Sequence, residues 1–177
     1  MSPDSQIGFE HVIRIECTPR RVLAAFFEPA ALAAWWDVAT AVATPRPLGA
    51  YALGWQDSPN VDDVLGRLGG VFHGMVIDFR PDRGFFVADA YWLPPSGDPI
   101  GPMAMDVTCT PAERSSGRGS RPAATTLRVV QRGLDDSPRW MRYYEVMREN
   151  FPAALDTLKH YLEHGRGAWD LRAYIKE

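Results

Sequence analysis

The chain has 177 residues, 46% of them hydrophobic, which suffices for one domain with a substantial core and demands no second. Its formal charge of −3 and pI near 5.8 argue against binding to nucleic acid or to an anionic membrane driven by overall charge. Met1 to Gly8 holds no basic stretch followed by an apolar run, and the most apolar window, Val22 to Trp36, is short and broken by Glu28 and Pro29, so neither a signal peptide nor a membrane span is expected and the chain reads as cytoplasmic.

From Phe9 to Cys17 the residues alternate: Phe9, His11, Ile13, Ile15 and Cys17 on one side, Glu10, Val12, Arg14 and Glu16 on the other. That is a half-buried strand, with His11 on its core side as an ordinary hydrogen-bonded histidine. Thr18-Pro19 then opens a helix: the hydroxyl can cap free N–H groups, and proline at the first helical position gives up a donor that has no partner anyway. Glu28-Pro29 divides two short helices, Arg20 to Phe27 and Ala30 to Trp35, which carry Val22, Leu23, Phe26, Leu32, Trp35 and Trp36 inward.

Asp37 to Leu48 is weakly patterned and reads as an extended approach to a strand at Gly49 to Trp55. Gln56 to Arg67 is a polar loop whose Asp57, Asp62 and Asp63 lack the spacing, glycine and closing glutamate of a calcium loop. Strands follow at Val71 to Phe79 and Phe85 to Leu93, joined by the turn Pro81-Asp82-Arg83-Gly84, and at Pro102 to Thr110 and Ala124 to Gly133. Between the last two, Glu113 to Pro122 is rich in Ser, Gly and Arg and reads as a solvated hairpin loop carrying Arg114, Arg118 and Arg121.

The longest periodic stretch is Trp140 to Leu162, where Trp140, Tyr144, Met147, Phe151, Leu155, Leu158 and Leu162 fall on one stripe opposite a charged face. This predicts a helix about 35 Å long, capped by Ser137 with Pro138 at its first position, kinked by Pro152 near Arg148 to Phe151 and ended by Gly165 and Gly167. Residues 8–164 form the core of the domain; beyond it Trp169, Leu171, Tyr174 and Ile175 can pin the tail or offer a surface for a homodimer. The two cysteines, Cys17 and Cys109, read as small buried hydrophobes. The four scattered histidines form no metal pair, so no metal and no cofactor are expected.

A strand, two short helices, five antiparallel strands and a long last helix make an α+β domain in which one curved sheet of about six strands wraps the helix. In the order of its motifs, the chain resembles the SRPBCC superfamily of START and Bet v-like proteins, most closely the branch named after the activator of Hsp90 ATPase homologue. The carrying residues are Thr18-Pro19 with Val22 and Phe26-Phe27, Leu32 and Trp35-Trp36, Pro47-Leu48-Gly49-Ala50-Tyr51, Gly74-Met75-Val76-Ile77-Asp78, Thr125-Thr126-Leu127, and Phe151 to Leu158 leading to Tyr161-Leu162-Glu163. The family commonly has Gly-Trp at Asn150-Phe151 and Gly-Gly at Gly49-Ala50. The resemblance implies the helix-grip fold and a cavity between sheet and long helix, used by different members for apolar molecules.

The same cavity follows from residue sizes. If helix and sheet face each other, Trp140, Tyr144, Met147 and Phe151 meet Trp35, Trp55, His73, Met75, Tyr91, Trp92, Met103 and Met105, in a chain with six tryptophans and six tyrosines. Pockets for small molecules are lined this way, with few polar groups. The first functional reading is therefore a non-catalytic module binding a small apolar or aromatic ligand oriented by His73, Gln131, Tyr144 or Asp89. The second is a cyclase, hydratase or isomerase in which His73 with Asp89 or Asp106 moves a proton, Asp106 alternating to the outer side. The third, implied by the branch name, is an interaction domain that regulates a chaperone ATPase.

Overall fold

The computed structural model describes residues 8–112 and 123–165. The arginine-rich loop and the aromatic tail lie outside these. The first strand, β1 (Gly8–Ile15), leads into two short helices, α1 (Pro19–Ala24) and α2 (Pro29–Trp36). Thr18 Oγ1 accepts from the Arg21 N–H at 3.4 Å, and both helices begin on proline. α2 stops where Asp37 turns left-handed at φ 58° and donates its N–H to the Leu32 carbonyl.

The strands β2 (Thr40–Ala43), β3 (Ala50–Trp55), β6 (Gly70–Arg80), β7 (Gly84–Leu93), β8 (Ile100–Pro111) and β9 (Thr125–Arg132) join β1 in one antiparallel sheet of order β1-β9-β8-β7-β6-β3-β2. It has seven strands, one more than expected, because Thr40–Ala43 pairs along β3 in the stretch that the sequence leaves weakly patterned. The polar loop after β3 also holds structure of its own, the two-residue strands β4 (Val61–Asp62) and β5 (Gly66–Arg67) paired as a small hairpin.

The last element, α3 (Pro138–His164), runs uninterrupted through Pro152 to Gly165, which adopts φ 68° and donates its N–H to the Tyr161 carbonyl at 2.8 Å. Ser137 occupies the position before it, but its hydroxyl makes no capping bond; its N–H donates to Asp135 instead. Tyr143, Tyr144, Phe151, Leu155, Leu158 and Leu162 of α3 are buried, as the 3.6-residue period requires. This is the helix-grip arrangement, with α3 lying against the inner face of the sheet and contacting β1 and α2.

The core is solid around the short helices. Phe26 meets Trp35 and Phe85 at 5.1 and 5.6 Å between ring centres, and Phe27 meets Phe85 at 4.7 Å. Trimming a fully buried leucine of this core such as Leu158 to alanine is worth about 2–5 kcal/mol. Cys109 is buried and Cys17 half-buried.

Candidate functional site

Away from that solid end the sheet and α3 separate around a hollow of about 360 Å³, within the size of small-molecule pockets. Strand register builds its floor. Phe9 of β1, Gln131 of β9 and Met105 of β8 are direct cross-strand neighbours, and Phe72 of β6 lies opposite Trp92 of β7. All five line the hollow. Tyr143, Val146, Met147, Asn150 and Phe151 close it from α3, at the three- and four-residue steps that place side chains on one helix face. The end of α2 adds Trp36 and Asp37, and β3 adds Trp55 with the following Gln56.

Aromatic contacts hold these walls. Trp36 meets Phe151 at 5.3 Å and Trp55 at 5.2 Å, Phe9 meets Phe151 at 5.3 Å, and Trp92 meets Tyr143 at 5.6 Å. The Trp55 indole N–H donates to the Trp36 carbonyl at 2.9 Å and that of Trp92 to the Gly69 carbonyl at 2.8 Å, so both rings are oriented by a satisfied donor.

The roof is the β4–β5 hairpin, which contributes Leu65 and, from its flanks, Ser58, Leu68 and Gly69. Asp62 ties it down. One carboxylate oxygen accepts the Val64 and Leu65 N–H groups, both at 2.9 Å, while the other accepts from Arg142 of α3 at 2.8 Å. The Arg142 guanidinium, then these two backbone donors, hold the Asp62 carboxyl down to about 2.

One polar pair sits in the apolar interior. Tyr143 Oη donates to Gln131 Oε1 at 3.2 Å, with both residues buried. Burial pushes the Tyr143 phenol above its usual range and keeps it protonated. Among the described residues no group of three or more His, Cys, Asp or Glu side chains is placed to hold a metal ion.

No family model matches the chain, and no curated protein matches it. Solved structures do. Protein MLL2253 from Mesorhizobium loti is 19% identical, with a TM-score of 0.59 over 88% of this chain and 97% of that one. The Aha1 dimer from Colwellia psychrerythraea is 16% identical, with a TM-score of 0.59 over 91% and 99%. The AHSA1 protein from Silicibacter pomeroyi is 14% identical, with a TM-score of 0.57 over 88% and 98%. This chain shares their fold. At these identities the likeness carries architecture and nothing of ligand or activity.

Of the residues singled out from sequence, Trp55, Trp92, Met105, Gln131, Met147 and Phe151 line the hollow. His73, Met75 and Tyr91 do not, and this corrects the expectation. β6 turns Phe72 and Val76 inward, which puts His73, Met75 and Ile77 on the outer face, where Met75 is 42% and Ile77 46% exposed and His73 stacks on Tyr91 at 5.7 Å. Asp89 is exposed at a register shift in β7, with φ 50°, so His73 and Asp89 do not converge on the interior.

Trp35, Met103, Trp140 and Tyr144 are buried but serve the core outside the hollow. Trp35 donates to the Ala25 carbonyl at 2.9 Å, and Trp140 and Tyr144 pack over Gly133. The lining residues that sequence reasoning missed are chiefly Phe9, Trp36, Phe72, Tyr143 and the roof leucines. Tyr143 and Val146 had a signal: they sit three residues apart beside Met147 and Asn150, on a face one residue round from the stripe read in the sequence.

Proposed function

We propose that this protein binds a small apolar or aromatic molecule in the hollow between sheet and α3. The observation that carries the reading is the hollow itself, about 360 Å³ walled by Phe9, Trp36, Trp55, Phe72, Trp92 and Phe151, with one hydrogen-bonding pair among them. Native mass spectrometry of the protein as purified, followed by a thermal-shift screen of apolar molecules, tests it. A bound mass or a selective rise in melting temperature supports the reading, since a ligand that binds the native form alone raises apparent stability. Absence of both across a broad screen counts against it.

The enzyme reading loses its proton-transfer pair, because the described lining offers Asp37 and Tyr143 as titratable groups and neither His73 nor Asp89. Self-association has two supporting observations: the outer face of the sheet exposes Val42, Met75 and Ile77, and the Colwellia protein of the same fold is a dimer. Sedimentation equilibrium decides it, and a monomer across the micromolar range ends it. A role in regulating a chaperone ATPase rests on likeness in fold alone; unchanged turnover in a mixing assay would dispose of it.

A further inference from the structure

We infer that the hollow selects uncharged ligands that carry one neutral hydrogen-bonding group and turns away anions of the same shape. The inference rests on the reading of the hollow as a binding site and adds the chemical class of its occupant. Among the described residues that line it, none is Lys, Arg or His. Asp37, which follows the last residue of α2, is the charged residue among the described residues that line it.

Three nearby arginines lie outside the lining and have partners of their own. Arg142 is held by Asp62 and Glu145, Arg67 donates to the Ser58 carbonyl at 3.0 Å, and Arg148 donates to the Gly8 carbonyl at 3.3 Å. An anion entering this space would give up its hydration and find no cation among the described lining residues, the costliest form of burial. A neutral polar group fares differently. The bond between Tyr143 and Gln131 uses the phenol proton and the amide oxygen, which leaves the Gln131 amide N–H as a donor and the Tyr143 oxygen as an acceptor at the wall. A hydroxyl, a secondary amine or a carbonyl can bond there without carrying charge inside.

A matched set of probes tests this on the full chain. N-phenyl-1-naphthylamine and 8-anilinonaphthalene-1-sulfonate share one aromatic skeleton and its bridging N–H, and differ by the sulfonate. Fluorescence titration should give the neutral dye at least about tenfold higher affinity, and Met147→Trp, which takes up part of the hollow, should weaken its binding by about tenfold. Gln56→Lys at the exposed rim should strengthen binding of the sulfonate relative to that of the neutral dye. In calorimetric titration, 1-benzylnaphthalene, with a methylene in place of the N–H, should bind more weakly than N-phenyl-1-naphthylamine. Equal affinity for the two dyes, or no response of the sulfonate to Gln56→Lys, overturns the charge selection while leaving the cavity reading intact. Binding of the hydrocarbon as strong as that of the amine overturns the hydrogen-bonding part. Failure of the neutral dye to bind, or binding that ignores Met147→Trp, removes the site reading and this inference with it.

Discussion

Arg142 grips Asp62 with two nitrogens, Nε and Nη2, each 2.8 Å from the same carboxylate oxygen, and so joins the roof hairpin to the last helix. The other carboxylate oxygen organises the turn that carries Leu65. Asp62→Ala should therefore loosen the roof locally. Amide hydrogen exchange over residues 61–68 should quicken while the sheet stays protected. The same link has an acid limb: a carboxyl held at about 2 against an unfolded value of about 3.9 adds stability that is complete above pH 4 and drains away as the pH falls toward 2. Roof exchange that quickens over that interval in the parent protein, but is already fast and less pH-dependent in Asp62→Asn, is the expected result.

Three buried tyrosines separate by what their hydroxyls meet. Those of Tyr51 and Tyr144 find no hydrogen-bond partner among the described residues, whereas Tyr143 donates to Gln131. Tyr51→Phe and Tyr144→Phe should be neutral or stabilising by up to about 1 kcal/mol, since an unsatisfied polar group is removed. Tyr143→Phe should cost about 1 kcal/mol and leave the Gln131 oxygen unanswered. Denaturant melts of the three variants distinguish them, and the opposite order would show the hydroxyl assignments to be wrong.

His11 faces Phe9 and Phe151, with ring centres at 5.5 and 5.9 Å, and its Nε2 has no hydrogen-bond partner among the described residues. Burial lowers its pKa, because the charged imidazolium is the form that loses solvation. The unfolded chain thus binds this proton more readily, so stability holds above the unfolded value of about 6.5 and declines as the pH drops from there toward the lowered value in the fold. His11→Phe should flatten the melting temperature over that range. A slope unchanged by the substitution would assign it to other groups.

Gly133 lies under the first turns of α3, where a side chain would run into the Trp140 ring and the Tyr144 hydroxyl. Gly133→Ala should push the helix off β9 at a cost of about 1–3 kcal/mol. Calorimetry measures that cost. A variant as stable as the parent would mean that the helix start shifts freely over the sheet.

Much of the fold was legible because the two periods are clean where one face meets water. β1 alternates Glu10 and Arg14 against Phe9 and Ile15, and α3 keeps its stripe past Pro152. β6 defeated the same reasoning. With Val71, His73, Met75 and Ile77 in one phase and Phe72 and Val76 in the other, both faces are apolar enough to be the core, and the phase is set by pairing with β3 and β7. The site was half legible for a related reason. Gln131 and Phe151 follow from elements with a definite inner face, whereas Leu65 and Leu68 reach the hollow through the path of a loop, fixed by Asp62 finding Arg142 eighty residues away. On α3, Tyr143 and Tyr144 are both buried, and whether one meets the hollow or Gly133 depends on a rotation that hydrophobicity does not encode.

Trp36, Trp55 and Trp92 are three of the chain's six tryptophans, and all three border the hollow. The indoles of Trp55 and Trp92 are fixed by hydrogen bonds and that of Trp36 stacks on Trp35, so their emission should respond strongly to whatever sits among them. The protein carries a built-in optical reporter: an aromatic guest would quench or shift the light from this trio, and the kinetics of its arrival could be followed without any label.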